Sequence, residues 1–126
     1  MLEVSFKSNR GEYIPTINLD VKIGELTIGH VALVPHSPSL YEMHISSIHE
    51  DYKGAALPIS RLLIKFIFNN MVHAEKLIAM IPTENRLAIA LAKRSGLKLE
   101  GRLKDSIRID GILQDQEILG ICKGDL

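Results

Sequence analysis

The sequence predicts an α/β domain of the α+β kind: a mixed, mostly antiparallel sheet with a central parallel β-α-β crossover. Three observations carry this. Apolar and polar residues alternate in the first third of the chain, the period of a half-buried strand. The apolar period then lengthens to that of an amphipathic helix over residues 59–67. The unbroken apolar run KLIAMI follows at 76–81, as expected of a strand buried on both faces. A helix connecting two strands of one sheet is a crossover, which makes those strands parallel.

The elements follow in order. Leu2, Val4 and Phe6 alternate with polar residues as a short strand, and Ser8-Asn9-Arg10-Gly11 reads as a turn. Ile17, Leu19, Val21 and Ile23 alternate strictly, and Gly24-Glu25 reverses the chain into LTIGHVALV at 26–34, which makes a β-hairpin. Pro35-His36-Ser37-Pro38-Ser39 is a loop, and LYEMHISSI at 40–48 is another strand. Ile59, Leu62, Leu63, Phe66 and Ile67 lie on one helical face. Pro58 suits the first turn, where its missing N–H costs nothing. After Asn69-Asn70 comes the buried strand at 76–81. Pro82-Thr83-Glu84-Asn85 offers caps for a second helix through Ser95, with Gly96 as its stop. Leu97, Leu99, Leu103, Ile107 and Ile109 then fall on odd positions, against Lys98, Glu100, Arg102, Lys104 and Arg108 on even ones. Asp110-Gly111 is a two-residue hairpin signal leading into ILQDQEILGIC at 112–122.

Composition narrows the function. The 126 residues make one domain, 1–126, long enough to bury roughly two thirds of its extended surface. With 46% hydrophobic and 24% charged residues, the chain is no disordered or low-complexity polymer. Fifteen basic residues balance fifteen acidic ones, so composition gives no support to a nucleic-acid partner, whose phosphates reward a basic excess. The single cysteine, Cys122, excludes an internal disulfide and a multi-cysteine zinc site and fits a reducing, cytoplasmic setting. The alternating start is not that of a signal peptide. The apolar stretch from Ile59 to Phe68 carries Arg61 and Lys65 and is too short to span a bilayer, so no membrane is expected.

Two places could carry chemistry. HEDYKGAALP at 49–58 is a small-residue turn entering a helix N-terminus, where unpaired N–H groups and the positive dipole end suit a phosphate. The same Gly54-Ala55-Ala56 also reads as a tight connection that avoids clashes. On the strand at 40–48, Glu42, His44 and Ser46 share one face by the period of two. Histidine and partly buried glutamate are the side chains suited to taking a proton near neutral pH. The plainer reading is of half-exposed strand residues without chemistry. His30, His36 and His73 fall on different elements, so no metal site is expected.

A longer ordered pattern runs from Ile48 to Ile121. It comprises Asp51-Tyr52-Lys53-Gly54-Ala55-Ala56, then Asn85, RLAIALAKRS, Gly96-Leu97, Glu100-Gly101 and the charged hairpin RLKDSIRIDGILQDQEILGI at 102–121. In this order and punctuation the chain resembles the GNAT acyl-CoA N-acyltransferase superfamily, in particular its ribosomal-protein-acetylating branch. The resemblance implies a GNAT-like fold and acetyl-CoA as co-substrate. It implies that Gly54, Ala55, Ala56 and Leu57 donate backbone N–H groups to the pyrophosphate, whereas Pro58 cannot. Lys53 would compensate for Asp51, which stands where the family has a basic residue or Gln. Asn85 would sit at the mouth of splayed parallel strands near the pantetheine arm, or simply cap its helix. The general base would lie on the strand before the loop, at Glu42 or His44, with His49 a poorer candidate.

The departures are specific. Ala92 occupies the place of a family tyrosine that protonates the departing thiolate, and Ala88 that of a common serine. Only Lys7 to Glu12 separates the first strand from the next, where the family places one or two helices, so the usual N-terminal helices are expected to be lacking. The implied function is an acetyl-CoA-dependent N-acetyltransferase using direct transfer to a primary amine, on an acceptor that includes proteins, with a homodimer through an exposed edge strand. The alternative is a non-catalytic GNAT-like structural or assembly protein of the kind a phage or prophage encodes. A third reading is an unrelated small α/β binding domain using a basic stripe of Lys98, Arg102, Lys104 and Arg108. Fold alone does not choose between these; acyl-CoA binding does.

Overall fold

The computed structural model describes residues 16–126. The expected strand at 2–6, the turn after it and the expected lack of helices between the first two strands lie outside the described residues. β1 (Ile17–Ile23) and β2 (Leu26–Pro35) form the expected hairpin around Gly24, whose φ of 58° is in the left-handed region. β3 (Leu40–Ile48) pairs antiparallel with β2. A 3-10 turn (Glu50–Ala55) leads into α1 (Ala56–Asn70), and α1 leads into β4 (Lys76–Pro82), which runs parallel to β3. After α2 (Arg86–Arg94) come β5 (Lys98–Ile109) and β6 (Ile112–Cys122). Asp110 and Gly111 between them take φ of 50° and 78°, as a type I′ turn requires. The six-stranded sheet has the order β1-β2-β3-β4-β6-β5, with β3 and β4 its parallel pair.

Both helices contribute to one core. Leu33, Leu77 and Leu119 of the sheet meet Ile64, Ile67 and Phe68 of α1, with Ile89 and Ala92 from α2. Among the described residues, no helix is long and apolar enough to cross a membrane.

Two expectations need correction. The anticipated apolar face of α1 holds at Ile59, Leu63 and Ile67, but Leu62 and Phe66 are 61% and 49% exposed, and Ser60, Ile64 and Phe68 are buried instead. The stripe at 59, 63 and 67 has an apolar flank on each side, so spacing cannot choose between them. Contact with α2 does: the Ser95 hydroxyl donates to Ser60 Oγ at 2.9 Å, and Arg61 Nη2 donates to the Arg94 carbonyl at 3.0 Å. In β5 the odd–even rule breaks at register shifts between Leu99 and Gly101 and between Leu103 and Ile107, leaving Leu99 and Leu103 exposed. The second bulge holds Asp105 at φ 49°, with its N–H donating to Asp115 Oδ1 at 2.9 Å. The row of basic residues is interrupted by the same bulges, and Arg108 turns back to donate to the Gly111 carbonyl.

Candidate functional site

The ladder between β3 and β4 is short. It runs from Leu40 opposite Lys76 to Glu42 opposite Ile78, and beyond that point the strands part. Each keeps its other neighbour: β3 stays on β2 as far as Ile48, and β4 stays on β6 as far as Pro82. The sheet thus opens into two halves hinged at the start of β3. A bulge at Ser46 contributes, since Val31 faces Ile45 while His30 faces Ser47, and an inserted residue bends its strand. The Ser46 hydroxyl is turned onto the His30 carbonyl at 3.0 Å.

A cavity of about 490 Å³ fills the opening. Met43, Ile45 and Ile48 line it from β3 and Ala79 and Ile81 from β4, with α1 and α2 contributing Ala56, Ala88 and Ala92. Four alanines among the lining residues keep it open. Its polar contributors are His44, Ser47, Lys53, Ser60 and Asn85. Strand edges that have lost their partner carry backbone N–H and C=O groups that need one. The cleft therefore suits a slender, amide-bearing chain.

The expected phosphate loop is helical rather than open. Gly54 and Ala55 belong to the 3-10 turn, Ala56 opens α1 with its N–H donated to the Lys53 carbonyl, and Leu57 follows in the first helical turn. α1 has no side-chain cap at Ala55 and no acidic residue in its first turn, so its positive end is not neutralised from within its own first turn. A Cβ built on Gly54 meets nothing within 4 Å, so there is space beside the turn. Lys53 lines the cavity, but its Nζ pairs with Glu50 Oε2 at 2.9 Å and does not reach back to Asp51. The hydrogen bond from Lys53 holds the Glu50 carboxyl below its ordinary range. His49 caps the turn, its Nδ1 accepting the Asp51 N–H at 3.2 Å. Asn85 meets both descriptions: its Oδ1 accepts the Ala88 N–H at 3.2 Å as the N-cap of α2, and the residue lines the cavity.

Glu42 and His44 are brought together. Glu42 is 8% exposed, and its Oε2 lies against His44 Nε2 in an ion-pair contact. Its Oε1 accepts from His36 Nε2 at 2.8 Å, a partner that sequence reasoning missed. The fold supplies it: Pro35 opposite Tyr41 closes a tight hairpin that folds His36 back beside Glu42. Ser46 drops out of the row because of the bulge. Ala92 is buried and lines the cavity, so no hydroxyl stands there. Among the described residues, no group of three or more His, Cys, Asp or Glu side chains is arranged to hold a metal ion.

No known family model matches the chain, and no curated protein matches it. Solved structures do. A chimera of the spermidine N-acetyltransferase SpeG from Vibrio cholerae and hSSAT superposes with a TM-score of 0.75 at 22% identity, over 85% of this chain and 66% of that one. A GNAT-family acetyltransferase from Bacillus anthracis gives 0.72 at 23% identity, over 85% and 66%. The Vibrio cholerae spermidine N-acetyltransferase in complex with CoA and spermine gives 0.73 at 23%, over 82% and 62%. The chain spans about two thirds of the length of these proteins. Its fold is the GNAT acetyltransferase fold.

Proposed function

We propose that the protein is an acetyl-CoA-dependent N-acetyltransferase that transfers its acyl group directly to a primary amine. The observation that carries this reading is the parting of β3 and β4 around a cavity with the uncapped end of α1 beside it. That end would receive the pyrophosphate, with Gly54 leaving room for it and the N–H groups around Ala55 and Leu57 as donors. The freed edges of β3 and β4 would pair with the amides of the pantetheine arm. Asn85 would add its amide nitrogen at the mouth. The solved neighbour carrying CoA and spermine supports the choice of co-substrate and an amine acceptor.

In the reaction the amine nitrogen attacks the thioester carbonyl carbon, so a C–N bond forms and the C–S bond breaks. Holding the two reactants in one cleft supplies the proximity, and N–H groups freed at the Ser46 bulge would polarise the carbonyl. The proton lost by nitrogen passes to the Glu42–His44 pair. The departing thiolate takes its proton from water, because Ala92 has none to give.

Calorimetry with acetyl-CoA, with free CoA as control, tests the reading. Micromolar binding, followed by thiol release on addition of spermidine, spermine or a peptide amine, is the expected result. No heat and no thermal shift at millimolar ligand would overturn it. Ala92 and Asp51 favour a second reading, a GNAT-like assembly protein of the phage or prophage kind. CoA binding without turnover of any amine would select it. A protein acceptor, a homodimer along β5 and a cytoplasmic location belong to the same proposal.

A further inference from the structure

His36, Glu42 and His44 form a chain of side chains that neither spacing nor the fold requires. Glu42, 8% exposed, is the least exposed acidic residue among the described residues. Burying a charge is costly without partners, and here each oxygen has one: His36 Nε2 is hydrogen-bonded to Oε1 at 2.8 Å, and His44 Nε2 is in ion-pair contact with Oε2. An ionised carboxylate can only accept. Nitrogen lone pairs would repel those oxygens, so the contacts favour hydrogen on Nε2 of both imidazoles. For His44, which lines the cleft, the neutral ring in that tautomer has its lone pair on Nδ1. His36 is itself held. Its backbone N–H donates to the Leu40 carbonyl at 2.9 Å, and Ser37 Oγ accepts the Leu40 N–H at 3.1 Å in the same loop. The Ser39 carbonyl accepts from Glu75 and Lys76, which ties the loop to the start of β4.

We infer that the two carboxylate contacts divide the labour: His44 is the base that takes the amine proton on Nδ1, while Glu42 and His36 are positioning residues. Glu42 fixes the tautomer and ring orientation of His44. His36 holds the second oxygen, so that the carboxylate cannot rotate away. This assignment rests on the acetyltransferase reading, but its geometric part is measurable without substrate.

The experiment uses the full chain labelled with ¹⁵N-histidine. Two slowly exchanging downfield imidazole N–H signals are expected, assigned to Nε2 of His36 and His44, with His44 showing a lone pair on Nδ1. Both should vanish in Glu42→Leu. If that variant fails to fold, His36→Ala should leave the His44 signal exchanging at least tenfold faster. In the transfer assay with acetyl-CoA and spermidine, His44→Ala should lower kcat about 100-fold or more, the scale of general-base catalysis. His36→Ala should lower kcat about tenfold with KM for acetyl-CoA unchanged, and His36→Gln, which keeps a donor, should recover most of that loss. A His44 bearing its proton on Nδ1, or signals indifferent to Glu42→Leu, would overturn the assignment. The loss of CoA binding would instead sink the acetyltransferase reading and leave the hydrogen-bond result standing.

Discussion

At residue scale, two glycines matter for opposite reasons. Gly54 has open space around it and no left-handed φ, so its side-chain-free surface is not needed by the fold. Gly54→Leu should leave the thermal midpoint nearly unchanged, within the ±0.5 kcal/mol usual for surface changes, yet weaken acetyl-CoA binding at least tenfold by calorimetry. Gly96 is required by the backbone: its φ is 107°, and an added Cβ would lie 3.3 Å from Ile121 Cδ1. Gly96→Ala should destabilise by about 1–3 kcal/mol, the usual range for such strain, as urea denaturation would show. Gly96 was legible in sequence as the helix stop. Gly54 was legible as a small residue in a turn, but the turn's 3-10 winding, capped by the His49 side chain, was not. His36 stayed hidden because its role arises only when the hairpin places it against a carboxylate six positions on.

At the scale of elements, rotation and register separate similar residues. Leu62 and Leu63 are neighbours in sequence, but one is 61% and the other 4% exposed. Leu62→Gln should cost no more than about 0.5 kcal/mol, and Leu63→Ala about 2–5 kcal/mol, read from chemical denaturation. Across the sheet, Lys76 of β4 and Glu100 of β5 meet at 2.6 Å over Gly120 of β6, where a Cβ would lie 2.6 Å from Glu100 Oε2 and 3.0 Å from Lys76 Cε. The intervening strand carries no side chain, and that lets the pair close. The hydrogen bond that the Lys76 ammonium donates to the Glu100 carboxylate raises the Lys76 pKa above its ordinary 10.5. A raised folded value means that the pair's stabilisation is fully present below 10.5 and fades as pH climbs through the folded value. The side chains are about a third exposed, so the contribution is at most about 1 kcal/mol. The urea-midpoint difference between wild type and Glu100→Gln should therefore be present at pH 8 and shrink towards pH 11. Gly120→Val should mimic Glu100→Gln.

At the scale of the whole molecule, the fold creates its cleft by dividing one sheet, and a ligand that bridges the halves should stabilise both. Acetyl-CoA at a hundredfold excess over its Kd should add about 2.7 kcal/mol, seen as a rise in Tm that is weakened in Gly54→Leu. No rise at saturating ligand would contradict a bridging site. From residue 17 onward the sequence by itself determined the strands and helices, the crossover and the Asp110-Gly111 turn, because hydrophobic period and turn chemistry are local properties. It also placed Glu42, His44 and Asn85 on the elements where they are found. Tertiary structure alone decided how far β3 and β4 pair before parting, which flank of α1 is buried, and that His36, Glu42 and His44 touch. Those outcomes depend on competition among neighbours: a strand edge, a helix flank or a carboxylate takes the partner that packing brings within reach, and no local spacing encodes that choice.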